Sequence, residues 1–327
     1  MDKIGLVFGG GGSRGAYQIG AWKAMKDLGI DKEINMVSGT SVGALNAVLF
    51  ALGDYQLAFD IWEKVNAFDM LIPNIMPTEG WFSRFGLINY INNLDFSKLK
   101  NSSVDVYITV KHIGDKNKYE KVVEIIEKFI KYLRIPSFPF SKAVILGSEV
   151  VGPANSIFFI ILIKLISMIY PPMYVSNTEI IRHFFTGDVE YYHINSMSID
   201  DIKALMLASS AISFVYESVH FNGKRYIDAG GTDLGNNPIK PLYDNNCKSC
   251  MLIPLDHKFN INKISRSNKI NDYVDAEKLY PNIDFKVIKP SKNLGFILDF
   301  SKYRFKKNFN LGENDLRKKF LGTICII

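Results

Sequence analysis

Asn35-Met-Val-Ser-Gly-Thr-Ser-Val-Gly-Ala-Leu-Asn-Ala-Val-Leu49 is the stretch that decides the fold. A short apolar strand runs into Gly39-Thr40-Ser41-Val42-Gly43, and a helix follows at once. G-x-S-x-G between a strand and a helix reads as a nucleophile elbow, a sharp turn that lifts one side chain above the sheet. The flanking positions are Gly because a Cβ there would collide with the adjoining strand and helix. Ser41 then sits at a helix N-terminus, where free N–H groups and the helix dipole favour developing negative charge.

Upstream, Lys3-Ile-Gly-Leu-Val-Phe8 is a strand candidate that enters Gly9-Gly10-Gly11-Gly12-Ser13-Arg14-Gly15. From Ala16 to Met25 the pattern is helical. A glycine run of this kind aims several backbone N–H groups at one anion. That anion is an oxyanion in an acyl hydrolase and a pyrophosphate in a dinucleotide-binding protein, whose spacing Gly10-x-Gly12-x-x-Gly15 also satisfies. A dinucleotide site needs a carboxylate at the end of the second strand to hold ribose. Here that strand ends in Ser38-Gly39-Thr40-Ser41, so the dinucleotide reading fails. A third motif follows a hairpin signal at Asn222-Gly223. The strand Tyr226-Ile227 ends in Asp228-Ala229-Gly230-Gly231, with Asn236-Asn237-Pro238 close behind.

In this order the three motifs resemble the patatin-like phospholipase family. The glycine loop, the Ser elbow and an Asp-Gly-Gly/Ala motif all have counterparts, with Ala229 standing where the family has Gly. Ala204–Ile212 resembles the family's helix before the Asp strand, and Pro290–Phe300 resembles its C-terminal portion. The resemblance covers roughly 1–112 and 188–327. It implies a single three-layer α/β domain over 1–327, with a central, mostly parallel sheet flanked by helices and a largely helical insertion at 113–187. It also implies a Ser–Asp dyad without histidine, in which Ser41 attacks an ester carbonyl and Asp228 takes its proton. The oxyanion hole would come from the loop Gly10, Gly11, Gly12, Ser13, Arg14 and Gly15. No metal and no cofactor are implied. The expected substrate is a phospholipid or another lipid ester, with acyl transfer or non-catalytic lipid binding as the alternatives.

The residues fit a histidine-free site. Five His are present, at 112, 183, 193, 220 and 257, and none lies in a glycine-flanked loop. A Ser–His–Asp triad would have to draw on His257 or His220. Arg14 has two readings, a clamp near the oxyanion or a structural anchor of the loop.

Lys and Arg number 39 against 33 Asp and Glu, a net charge of +6. That excess favours anionic surfaces, including peripheral membrane contact, and is too small to argue for nucleic acid. Much of it lies near the C-terminus, between Lys302 and Lys319. Cys247, Cys250 and Cys325 form no disulfide framework or paired zinc motif, which suits a reducing, cytoplasmic compartment. Met1-Asp-Lys3 runs straight into the first strand, with no signal-peptide pattern.

Alternating elements are expected. Strands fall at 3–8, 35–38, 104–111, 190–194, 214–221, 224–227, 250–255 and 285–289. Helices fall at 15–28, 42–52, 54–67, 199–210 and about 312–321, with Ser198 capping the fourth. Inside 113–187, residues 120–134 are amphipathic and 157–170 are nearly all apolar. The second run is shorter than the roughly 20 residues that span a bilayer. Three readings stay open for it: a buried helix, a lid or membrane-docking element over the Ser41 pocket, and a re-entrant membrane segment. Oligomeric state is not readable.

Overall fold

The computed structural model describes residues 3–73, 82–113, 188–212, 215–266 and 272–322. The segment 113–187, whose role as a lid or docking element is expected from sequence, lies outside them from residue 114 onward.

Among the described residues the main sheet has eight strands. They are β1 (Lys3–Phe8), β2 (Met36–Thr40), β5 (Asp105–Ile113), β6 (Val189–His193), β7 (Val219–Phe221), β8 (Lys224–Ile227), β9 (Cys247–Ile253) and β12 (Asp284–Val287). Two small two-stranded ribbons stand apart from the main sheet, β3 (Ile72–Pro73) with β4 (Phe82–Ser83), and β10 (Ile264–Ser265) with β11 (Tyr273–Val274). The order is β12-β9-β1-β2-β5-β8-β7, with β6 also on β5. The five strands from β12 to β5 are mutually parallel, while β6, β8 and β7 join antiparallel.

Helices cover both faces. They are α1 (Ala16–Asp27), α2 (Val42–Ala51), α3 (Tyr55–Lys64), α4 (Ala67–Met70), α5 (Phe85–Asn92), α6 (Ile199–Ser209), α7 (Asp233–Asn236), α8 (Lys240–Asp244), α9 (Ala276–Leu279) and α10 (Lys302–Leu321). Because side chains alternate along a strand, each central strand feeds two cores. Leu6, Phe8, Val37, Val106, Ile108 and Ile253 pack with the inner faces of α1, α2, α3, α5 and α6. Val7, Met36, Tyr107, Cys250 and Leu252 pack on the other side with Leu242 of α8 and Ala276 of α9. Strands buried on both faces carry mainly apolar runs, as residues 4–8 of β1 and 106–110 of β5 do. This is the three-layer α/β architecture expected.

Several boundaries differ from expectation, the strand expected over 250–255 among them, which spans Cys247–Ile253, and four have a clear local reason. The second strand reaches Thr40, two residues into the elbow, because its backbone still pairs with Gly39 and Thr40 opposite Ile108 and Thr109. The helix expected over 54–67 stops at Lys64, since Asn66 caps the separate α4 through the amides of Phe68 and Asp69. The strand expected over 214–221 is cut to Val219–Phe221, because Val215 and Tyr216 turn back to the carbonyl of Ile212. The last helix begins at Lys302, where Ser301 accepts from the amide of Arg304. Ser198 caps α6 by accepting from Asp201, as expected.

Candidate active site

Two strands meet head-on at the site, and the sheet register shows why. β2 pairs with residues 105–109 of β5, and β6 pairs with residues 107–111, so they occupy opposite edges of β5. Lys111 pairs at once with Val189 of β6 and Ile227 of β8. β8 therefore lies on the same edge of β5 as β2, coming from the opposite direction. Thr40 stands opposite Thr109 and Ile227 opposite Lys111, which leaves Ser41 and Asp228 facing each other across the gap.

Ser41 is held in a sparsely populated backbone conformation, φ 57° and ψ −128°, which costs on the order of 1–3 kcal/mol. The turn is tight enough that a Cβ on Gly39 would lie 2.1 Å from the Gly43 carbonyl, and one on Gly43 would lie 2.1 Å from that of Phe8. Buried hydrogen bonds fix it. Thr40 Oγ1 donates to the Gly235 carbonyl at 2.6 Å, and Ser38 Oγ to that of Pro238 at 2.6 Å. The amide of Ser41 donates to Ser209 Oγ at 2.8 Å, and that hydroxyl donates onward to the Thr109 carbonyl at 2.7 Å. Ser41 itself is 4% exposed, and Val42 begins α2 directly behind it.

Asp228 is partly buried. Its amide donates to the Ala211 carbonyl at 3.0 Å, and its Oδ1 accepts from the amide of Gly230 at 2.7 Å. Burial raises the carboxyl pKa from 3.8 to about 6, against hydrogen bonds from the Ser41 hydroxyl and the Gly230 amide that favour the ionised form. Ala229, the departure from the family motif, is 2% exposed, so its extra methyl is packed rather than strained into the site.

The glycine loop crosses above. A Cβ on Gly10 would lie 3.2 Å from that of Ser41. Four amides of the loop are engaged: Gly9 with Ile253, Gly10 with Asn236, Ser13 with Ile297 and Arg14 with Gly11. The amides of Gly11 and Gly12 have no hydrogen-bond partner among the described residues. Gly12 has φ 57° and lies against the Ile297 carbonyl, 2.1 Å from where a Cβ would be. Ser13 Oγ donates to the Phe296 carbonyl at 3.0 Å, and Arg14 Nε to that of Gly295 at 2.7 Å. Both side chains therefore tie the loop to residues 295–297, the anchoring alternative for Arg14. Gly15 packs under Trp62, and its carbonyl accepts from Asn46 Nδ2 at 3.2 Å.

A buried polar chain supports the loop from below, and sequence reading missed it. Trp62 Nε1 donates to Asn46 Oδ1 at 2.9 Å, Asn46 Nδ2 to Gln18 Oε1 at 2.8 Å, and Gln18 Nε2 to the Gly9 carbonyl at 2.8 Å. The available signal was Gln18 and Asn46 in helices whose neighbours are nearly all apolar. Ser209 was missed as a site residue as well.

Ser41 and Gly12 open onto a cleft between α2, α3 and α5. Val42, Leu45 and Leu49 line it along α2, Trp62 comes from α3, and Leu87 and Ile91 come from α5. Its walls are almost entirely apolar, the lining expected of a pocket for hydrocarbon. No histidine lines it. His220 is exposed on β7, and His257 stands beside its neighbour Asp256 at 3.5 Å. His112 faces Glu190, His193 faces Asp105, and His183 lies outside the described residues. Cys247 and Cys250 are buried free thiols in β9, and Cys325 lies outside the described residues. Among the described residues there is no cluster of three metal-ligating side chains, and no helix is long and apolar enough to cross a membrane.

Comparison with known proteins identifies the family. A lysophospholipase nte1 of Aspergillus terreus is 50% identical over 48 residues, 15% of this chain and 3% of that protein. The neuropathy target esterases sws of Drosophila persimilis and Drosophila grimshawi are each 53% identical over 49 residues, again 3% of their length. The chain thus matches only a small part of these relatives. The crystal structure of VipD from Legionella pneumophila superposes over 97% of this chain and 66% of that one, with a TM-score of 0.49 and 15% identity. The family model for patatin-like phospholipase matches residues 6–243, the span that carries the glycine loop, the Ser41 elbow and the Asp228 strand, and the chain belongs to that family.

Proposed function

We propose that the protein is a lipid acyl hydrolase that cleaves carboxylic esters of phospholipids or related lipids through an acyl-enzyme on Ser41. One observation carries the reading: the sheet register sets Ser41, held on a strained backbone at the head of an apolar cleft, face to face with the partly buried Asp228. Family membership supports the same chemistry.

The acyl chain lies in the cleft along α2, which brings its ester carbonyl to Ser41. Asp228 accepts the hydroxyl proton as Ser41 Oγ bonds to the carbonyl carbon. The resulting oxyanion is held by the amides of Gly11 and Gly12, free to donate and carried on a loop that reaches over the nucleophile. The N-terminus of α2 adds its partial positive charge. Collapse of the intermediate breaks the ester C–O bond, and the leaving alcohol takes the proton from Asp228. Asp228 then deprotonates a water that attacks the acyl-Ser41 carbonyl. The fatty acid leaves, and the proton returns to Ser41. A carboxylate with a pKa of about 6 suits a base that must be ionised near neutrality yet bind a proton briefly.

The test is labelling by a fluorophosphonate probe together with hydrolysis of a lysophospholipid. The expected result is one label, on Ser41, and loss of both signals in Ser41→Ala with the fold retained. An unlabelled wild-type protein that still binds lipid would make the chain a non-catalytic lipid-binding member of the family.

A further inference from the structure

Three large aromatic side chains stand exposed near residues that line the cleft, without lining it themselves. Phe68 of α4 is 89% exposed, Phe85 at the start of α5 is 62% exposed, and Tyr303 at the start of α10 is 69% exposed. Single exposed apolar residues are ordinary; a group on one structural rim marks an interaction surface. Packing joins the three. Gly86 seats its backbone against the Asp69 carbonyl, and the Tyr90 hydroxyl donates to Asp69 at 3.0 Å, which locks α5 to α4. Leu71, just after α4, and Phe300 both pack against the buried pair Phe296 and Leu298. Three residues beyond Phe300 comes Tyr303. The same elements turn Met70, Leu87 and Phe300 into the cleft. One rim therefore carries apolar side chains inward to the cleft and aromatic side chains outward.

The outward face is also basic. Lys302, Lys306 and Lys307 are exposed, and the Lys307 ammonium lies 5.9 Å from the centre of the Tyr303 ring. The acids beside them are engaged, Asp299 with Arg304 at 3.0 Å and Asp69 with Asn66 and Tyr90. Aromatic rings at the depth of lipid headgroups, flanked by lysines that meet phosphate, form the pattern of an interfacial binding face.

We propose that the rim formed by Phe68, Phe85 and Tyr303, with Lys302, Lys306 and Lys307, docks the protein on an anionic membrane, so that the walls of the acyl cleft rest on the bilayer surface. The proposal rests on the acyl-hydrolase reading for its purpose, and its test is separate. Full-length protein is co-sedimented with vesicles of phosphatidylcholine and phosphatidylglycerol, and with vesicles of phosphatidylcholine alone. Hydrolysis of a short, water-soluble p-nitrophenyl ester is measured beside it. Phe68→Ser with Phe85→Ser should weaken partition to both vesicles by on the order of tenfold or more. Lys302→Gln with Lys306→Gln and Lys307→Gln should remove the preference for the anionic vesicles, roughly fivefold per lysine at low salt. Both variants should keep the wild-type rate on the soluble ester. Unchanged partition in both variants overturns the proposal, as does a wild-type dimer in solution that the aromatic pair dissolves, since a second copy would then cover the face. Wild-type protein that binds vesicles through these residues yet hydrolyses neither lipid nor soluble ester would leave the docking face standing and remove the hydrolase reading instead.

Discussion

Replacing Asp228 by Asn should abolish turnover and stabilise the protein, and the two effects should share one pH dependence. Asn keeps the shape, accepts from the Gly230 amide and donates to Ser41 Oγ, so hydrogen bonding survives the change. What it removes is a charge whose burial is unfavourable. The rise of the Asp228 pKa from 3.8 to about 6 corresponds to about 3 kcal/mol of preference for the neutral carboxyl. Because the folded value lies above the unfolded one, the neutral group's contribution is complete below about pH 4 and is lost as pH rises through about 6. The wild-type protein therefore loses stability relative to Asp228→Asn over that window, by an amount approaching about 3 kcal/mol by about pH 8. Urea unfolding of both proteins between about pH 4 and pH 8, with unchanged m-values, measures the widening gap. The hydrolysis rate moves the other way: kcat/KM of the wild type should rise through about pH 6 as the base ionises, and the variant should lose on the order of 10²–10⁴ in rate. A stability gap that stays constant with pH would refute the reasoning, because Asp228 would then bear no burial penalty.

Three further outcomes are expected. Gly11→Ala sets a Cβ 2.9 Å from Leu255 Cδ1 and 3.0 Å from its Cβ, at a backbone φ of 158° that L residues rarely adopt, so the loop must shift and carry its amide off the oxyanion; kcat should fall by up to on the order of 10²–10³ with KM nearly unchanged in steady-state assays. Ser209→Ala strands the buried amide of Ser41 and the Thr109 carbonyl, so it should destabilise by about 1–3 kcal/mol in chemical unfolding and slow fluorophosphonate labelling of Ser41. Leu49 lies eight residues along α2 from Ser41, about 12 Å down the helix. Leu49→Trp should close the cleft there, so that competition assays show long-chain esters lost and butyryl esters retained, whereas equal loss of both would mean the acyl chain runs elsewhere.

The parts of the site that could be read from sequence are those with a steric signature. Gly39 and Gly43 are needed because backbone passes within contact distance, and that need writes a fixed spacing around Ser41. The glycine loop and the strand-end Asp228 leave marks of the same kind. Ser209, Gln18 and Asn46 leave none, because each acts through a partner far away in sequence: Ser209 through Ser41, Gln18 through Gly9 and Ile253, Asn46 through Trp62. The start of α10 was missed because the helix carries charge around much of its circumference and buries only Asn308, Gly312 and Leu316, so its apolar period is faint. The direction of β8 was equally hidden. An antiparallel strand in a largely parallel sheet is decided by its register on β5, which no local pattern encodes.

That register carries the economy of the site. A triad needs a third residue to orient a mobile imidazole. Here the proposed nucleophile and its proposed base each sit at a strand end, and both strands are pinned to one edge of β5, so the sheet performs the orienting. Two local costs are concentrated at this point, a strained backbone at Ser41 and a carboxyl kept from full solvation at Asp228. They are offset by ordinary cohesion: paired strands on both sides, buried bonds from Ser38, Thr40 and Ser209, and apolar cores on each face of the sheet. Relaxing either cost should therefore stabilise the fold and impair the chemistry, the relation expected where binding and strain serve a reaction rather than the native state. Asp228→Asn is the sharper probe of the two, since it relieves the electrostatic cost and leaves the backbone untouched.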